Sequence, residues 1–215
     1  MKKFAVVLSG CGVFDGSEIH EATLTMYSIS RNGATYDLFA PNIEQRHVIN
    51  HLKGEESSEK RNVLIESARI ARGSVKDLKE FDAKSYDALI FPGGFGVAKN
   101  LCTFAFDGPD CTVNPDVENA MKAMKEQGKP IGALCIAPVL FAKVFGAVEL
   151  TIGQDKGTAE AVEAMGAVHK KTNHGEVVVD NNNRLFSTPC YMLDATIAQI
   201  GEGADNIVKA MLEQM

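Results

Sequence analysis

Residues 130–138 read Pro130-Ile131-Gly132-Ala133-Leu134-Cys135-Ile136-Ala137-Pro138. An apolar strand pattern runs straight into a helical one, and a single cysteine stands on the junction. This is the form of a nucleophile elbow, where a tight strand-to-helix turn presents a reactive side chain. Gly132, Ala133 and Ala137 are small enough to leave room for such a turn, and Pro138 suits a first helical turn, where an N–H is dispensable. A helix N-terminus favours negative charge, so the Cys135 thiol is expected to ionise below its free value and to be the most reactive thiol of the chain. A buried packing cysteine fits the same residues; two further turns decide for the nucleophile.

Upstream of the elbow, strand and helix alternate. Phe4 to Leu8 is a continuous apolar run ended by Ser9-Gly10-Cys11-Gly12, as expected for a strand buried on both faces. A helix follows from Ser17, its N-cap, to Asn32-Gly33, with Ile19, Ala22, Met26 and Ile29 at helical spacing. Tyr36 to Ala40 is a second strand. Ser58 caps a helix with Leu64, Ala68 and Ala71 on one face, and Ala88 to Phe91 is a third strand. Asp116 to Gln127 is helical, and Pro130 to Leu134 is the fourth strand.

Beyond the elbow, Ile136 to Phe145 is a helix ending at Gly146. Short strands are expected at Val148 to Ile152, Ala167 to His169, Glu176 to Val179 and Leu185 to Ser187, with a helix at Ala159 to Met165. Two last helices span about Leu193 to Ile200 and Ala204 to Leu212. The alternation predicts one α/β domain over residues 1–215: a flavodoxin-like, doubly wound, mainly parallel sheet with helices on both faces. Chemistry in such a sheet sits at the carboxyl ends of the strands. The turns Ser9 to Gly16, Pro92 to Gly96 and Leu134 to Pro138 all fall at such ends.

Glycines in Pro92-Gly93-Gly94-Phe95-Gly96 let backbone N–H groups approach a ligand closely, as an oxyanion site needs. Gly10 to Gly16 is spaced GxGxxxG, one residue too long for a dinucleotide fingerprint, and Ala40-Pro41 ends the second strand without an acid, which excludes NAD. Glu18 and Glu21 lie three apart on one helical face. Glu18 suits dipole compensation at the helix start, and Glu21 suits acid/base work at a cleft. His47 and His51 have i,i+4 spacing but no third ligand, so no metal is expected. Asn100 to Asn114 is a long loop beside the glycine turn, fit for a lid or an interface.

Lys and Arg number 22 and Asp and Glu 28, giving net charge −6, with no basic stripe; nucleic acid and anionic membrane are poor partners. Five scattered cysteines without a CxxC pair fit a reducing, cytoplasmic setting, with Cys102 and Cys111 unpaired and with Cys11 and Cys190 as packing residues that could line the cleft. The start, Met1-Lys2-Lys3 before Phe4 to Cys11, imitates a lipoprotein signal. Its apolar run is shorter than the about 7–15 residues a signal needs, and we read it as the first core strand.

Together the three turns resemble those of the ThiJ/PfpI superfamily, on the class I glutamine amidotransferase-like fold, over nearly the whole chain. The segments Ser9 to Glu21, Glu66 to Gly73, Leu134 to Pro138 and Leu150 to Gly153 are similar to the ElbB group of isoprenoid biosynthesis glyoxalases, also called enhancing lycopene biosynthesis protein 2. The resemblance implies Cys135 as nucleophile, Glu21 as the glutamate bonded to its thiol, Gly94 and Ile136 as oxyanion donors with Gly93 beside them, and Ser187-Thr188-Pro189-Cys190 as a segment closing the pocket. It also implies a homodimer, no cofactor and a small dicarbonyl substrate.

Departures from the superfamily pattern narrow the chemistry. Amidotransferases carry a His-x-Glu dyad where this chain has Ser187 to Tyr191. PfpI-type peptidases have His directly after the nucleophile, where Ile136 stands. Other members carry a His about twenty residues on, where Gly153-Gln154-Asp155 stands. The glyoxalase-type members need only Cys and Glu. The resemblance therefore implies conversion of glyoxal or methylglyoxal to a hydroxy acid through Cys135, with a non-catalytic, redox-responsive or ligand-binding role in isoprenoid metabolism as the alternative.

Overall fold

The computed structural model describes all 215 residues. The first half contains β1 (Lys3–Val7), α1 (Ile19–Arg31), β2 (Thr35–Ala40), β3 (Ile49–Asn50), β4 (Glu55–Glu56), α2 (Val63–Ile70), β5 (Lys76–Asp77) and β6 (Ala88–Phe91). Next come α3 (Phe104–Asp107), α4 (Pro115–Glu126), β7 (Ile131–Leu134), α5 (Val139–Phe145), β8 (Glu149–Leu150) and α6 (Lys156–Ala164). The chain closes with β9 (Val168–His169), β10 (Val178–Asp180), β11 (Leu185–Thr188) and α7 (Ile197–Leu212).

Seven strands form one sheet in the order β10-β11-β7-β6-β1-β2-β5. Every neighbouring pair is parallel except β10 with β11. This is the doubly wound, flavodoxin-like α/β architecture expected from the sequence. The apolar run of β1 explains its central place: Phe4 and Val6 face one core, Ala5 and Val7 the other, all without solvent exposure. One face is covered by α4, α5 and α6 through Met121, Met124, Phe141 and Val162. The other is covered by α1, α2 and α7 through Ala22, Ile29, Val63, Ile207 and Met211. The chain moves from β1 to β2 on one side and returns to β6 on the other, so a topological switch point lies between β1 and β6 at the carboxyl end of the sheet.

Several boundaries differ from the sequence reading. The last two helices are one, α7, opened by a capping box between Thr196 and Gln199. Gly203, in the gap between the two expected segments, lets the helix approach Cys190 Sγ and Thr188 Oγ1, where an added Cβ would stand 3.3 and 3.4 Å away. At α1 the cap is Glu18, whose carboxylate accepts the Glu21 N–H at 2.7 Å; Ser17 instead turns back to accept the Ser9 N–H at 2.8 Å. Ile19 is exposed, and the inward position of that first turn belongs to Glu21. At α2 the cap is Asn62 rather than Ser58; Ala71 is buried and Leu64 packs half-buried against the same core as expected, while Val63 and Ser67 are buried more deeply than Leu64 and Ala68. The two-residue strands β3, β4 and β5 are too short for any alternation to show in sequence.

Candidate active site

Cys135 follows β7 directly, and its backbone stands at φ +60°. A side-chain-bearing residue in the left-handed region costs on the order of 1–3 kcal/mol and persists only where its surroundings hold it. Here the Cys135 N–H donates to Thr188 O at 2.9 Å, extending the β7–β11 ladder by one rung, and the Ala137 N–H donates to Leu134 O at 2.9 Å to close the turn. The sharp turn leaves Cys135 at the carboxyl edge of the sheet, 7% exposed. Helix α5 begins only at Val139, because residues 135–138 are spent in the turn.

Glu21 lies beneath the sulfur with no solvent exposure. Two backbone donors hold its carboxyl: Gly93 N–H to Oε2 at 2.9 Å and Tyr191 N–H to Oε1 at 3.2 Å. Burial pushes the Glu21 carboxyl up to about 8, so at neutral pH it carries a proton and can share it with the Cys135 sulfur. Gly93 is required here by space. A Cβ on it would collide with Cys135 Cβ and stand 2.6 Å from Glu21 Oε2. Gly94, at φ +101°, has no room for a side chain either, since a Cβ would overlap Glu18 N and Gly16 O.

The Cys135 thiol is pushed well above its usual range by burial and by the neighbouring Glu21 charge. The N–H groups of Gly94 and Ile136 face the sulfur and pull the other way. This reverses the depressed thiol expected from the sequence. That expectation rested on a helix N-terminus at residue 136, whereas α5 starts further on and the sulfur is enclosed.

Above the sulfur lies a cavity of about 340 Å³. Val13 comes to it from the first turn, Gly94 and Phe95 from the second, and Cys135 and Ile136 from the elbow, so the three turns meet at one place. The 100–114 loop supplies Phe104 and Ala105 to the wall. Nine of its 13 lining residues are hydrophobic, and its charged ones, Glu18 and Asp155, are both acidic. Of the two glutamates, Glu18 therefore faces the cavity and Glu21 lies behind Cys135. Tyr191 and Met192 complete the wall, and the Tyr191 hydroxyl shares a 2.8 Å hydrogen bond with His20 Nδ1. Sequence reasoning missed Tyr191. Its contribution to Glu21 is a backbone N–H, delivered by the turn at Cys190, which also stands at positive φ (+41°). No side-chain pattern announces such a group.

The other sulfur and imidazole groups lie elsewhere. Neither Cys11 nor Cys190 lines the cavity: Cys190 packs in the same core as Cys135, and Cys11 sits half-buried near Glu66 and Arg69. His47 stacks edge-on against Phe106, and His51 Nε2 accepts the Phe14 N–H at 3.2 Å. No helix is long and apolar enough to cross a membrane.

The model of the DJ-1/PfpI family matches residues 11–189. The chain is 50% identical over 221 aligned residues to "Glutamine amidotransferase-like class 1 domain-containing protein 3, mitochondrial" of Homo sapiens, covering 98% of this chain and 82% of that protein. The crystal structure of an isoprenoid biosynthesis protein with an amidotransferase-like domain from Ehrlichia chaffeensis is 38% identical, with TM-score 0.92 over 99% of this chain and 100% of that one. Glyoxalase III from Candida albicans shares the fold, with TM-score 0.64 and 15% identity over 99% of this chain and 96% of that one.

Proposed function

The chain belongs to the DJ-1/PfpI family, and from that premise we propose a cofactor-independent, glyoxalase-type enzyme that converts small 2-oxoaldehydes to hydroxy acids through Cys135. The observation that carries the reading is Cys135 at the floor of a largely apolar cavity with the protonated Glu21 buried behind it, and with the N–H groups of Gly94 and Ile136 turned toward the sulfur.

In this reading the Cys135 sulfur bonds to the aldehyde carbon of glyoxal or methylglyoxal, and the thiol proton passes to the aldehyde oxygen to give a hemithioacetal. Gly94 and Ile136 steady the oxygen while its charge develops, with Gly93 leaving the space in which the reacting groups meet. The Glu21 carboxyl gives its proton to the second carbonyl oxygen and takes the proton from the carbon bonded to sulfur, forming an enediol; it then returns that proton to the neighbouring carbon and recovers one from the hydroxyl on the first. The first carbon is thereby oxidised to a thioester and the second reduced to an alcohol. Water then cleaves the thioester, restoring the thiol and releasing glycolate or lactate. No outside oxidant or reductant enters the balance.

The ElbB assignment within the family belongs to the same proposal, supported by the relative from Ehrlichia chaffeensis that is named for isoprenoid biosynthesis. Amidotransfer is set aside because the segment from Thr188 to Tyr191 brings Cys190, not a histidine, into the core beside Cys135. Homodimerisation and a cytoplasmic setting remain part of the reading, while the human relative bears "mitochondrial" in its name. Light scattering at micromolar concentration tests the dimer. A panel of small dicarbonyls, assayed with wild type and Cys135→Ser, tests the activity.

A further inference from the structure

A second pair of thiols lies outside the Cys135 site. Cys102 and Cys111 stand at the neck of the loop that carries α3, and both are buried. The neck is closed by a β-bridge between Cys102 and Val113 and by the Thr103 N–H, which donates to Thr112 O at 2.9 Å. Across it the two thiols lie close enough to perturb each other's ionisation. The eight residues between them include Phe104 and Ala105, which wall the active-site cavity.

The two sulfurs differ in surroundings. Cys102 is turned inward, with its Sγ 3.3 Å from Val97 O. Cys111 borders a separate surface cleft of about 340 Å³, shared with Asp110, Glu118 and Lys143. Lys143 Nζ is anchored there on Pro109 O at 3.0 Å. The neighbouring Cys102 thiol and the Lys143 charge lower the Cys111 thiol against the effect of its burial. Burial and the same neighbour push Cys102 well up. Cys111, which borders the cleft, is thus placed to attack an incoming disulfide, and Cys102, turned into the core, to resolve.

We propose that Cys102 and Cys111 are a disulfide-forming site, and that closing the bond between them fixes the segment that walls the active-site cavity. The oxidant is a low-molecular-weight disulfide entering the cleft. The Cys111 thiolate attacks one of its sulfurs, forming a mixed disulfide and expelling the first small thiolate, which takes up a proton. Cys102 then gives up its proton and attacks the Cys111 sulfur, expelling the second small thiol. Two protein thiols are oxidised to one disulfide, and one small disulfide is reduced to two thiols. The redox response that the sequence suggested for Cys135 has here a pair of thiols across one loop neck, and the assignment stands whether or not Cys135 turns over dicarbonyls.

The test uses the full chain and oxidised glutathione, followed by iodoacetamide and trypsin. Both cysteines fall in one tryptic peptide, Asn100 to Lys122. That peptide is expected two hydrogens lighter and unlabelled after oxidation, and doubly labelled after dithiothreitol. In Cys102→Ser the reaction should stop with glutathione held on Cys111. Alkylation of both thiols after oxidation, or a stable glutathione adduct on Cys111 in the wild type, overturns the pairing. In the oxidised wild type, Cys135 should react with iodoacetamide at a rate changed severalfold and restored by dithiothreitol. An unchanged rate overturns the link to the cavity.

Discussion

Gly93 donates its N–H to Glu21 Oε2 at 2.9 Å, and the space its missing side chain leaves is where the Glu21 carboxyl and the Cys135 sulfur meet. A backbone donor, a buried acid and a thiol thus depend on one hydrogen atom in place of a methyl group. The Glu21 carboxyl has no other position available, since Tyr191 N–H holds its second oxygen.

Gly93→Ala should therefore act on fold and site together. Forcing a methyl group into a packed core costs typically about 1–3 kcal/mol. Urea unfolding should show a loss in that range, and the remaining folded protein should have lost dicarbonyl turnover. A variant as stable and as active as wild type would mean that the close contact is easily relieved.

Glu21 should also impose a pH dependence on stability. Its carboxyl is raised from an ordinary 4.5 to about 8 in the folded chain, so between those values the folded state binds the extra proton. The stabilisation is fully present below about 4.5 and is lost as pH rises to about 8, with a slope of at most about 1.4 kcal/mol per unit. Thermal melting from pH 5 to 9 should show wild type declining relative to Glu21→Gln, which has nothing to titrate. Taking the difference between the two proteins cancels His169 and the surface groups. Parallel profiles would show that Glu21 ionises normally.

The two glutamates of α1 should separate in kinetics. Glu21→Gln keeps the shape of the side chain but removes the transferable proton, and acid/base help of this kind is worth about 10²–10⁴-fold. Glu18→Gln retains an oxygen that can accept the Glu21 N–H at the helix cap, so its effect on turnover should be milder. The reverse order would move the proton-transfer role to Glu18, the carboxylate that lines the cavity.

The Cys135 thiol is held up by burial and by the Glu21 charge. Alkylation by iodoacetamide should therefore accelerate as pH rises above neutral. Glu21→Gln removes the charge, so Cys135 should then alkylate faster than in wild type at pH 8.5–9 even as turnover falls. Slower alkylation in that variant would show that the carboxyl assists thiolate formation instead of opposing it.

The innermost strands of the sheet were legible because each is a continuous apolar run: Phe4 to Leu8, Ala88 to Phe91 and Ile131 to Leu134 are buried on both faces and leave little else to be. The elbow was legible because small residues flank a single cysteine. The ionisation of Cys135 was not. It depends on where α5 begins and on how deeply the sulfur is enclosed, and neither is written in residues 130–138. Glu21 could be named from its spacing and family resemblance, but its second anchor could not, because Tyr191 contributes a backbone N–H set by the positive φ of Cys190. The continuity of α7 was not legible for a related reason: Gly203, in the gap between the two expected helices, serves a close approach to the Cys190 turn, a contact between segments far apart in the chain.

Methylglyoxal turnover by wild type, Cys135→Ser and Glu21→Gln, with lactate measured directly, bears most directly on the proposed chemistry. Wild type should release lactate without added cofactor, Cys135→Ser should release none, and Glu21→Gln should be slowed by about 10²–10⁴-fold while still folded. Lactate release by Cys135→Ser at the wild-type rate, or none from wild type on any small dicarbonyl, would contradict it.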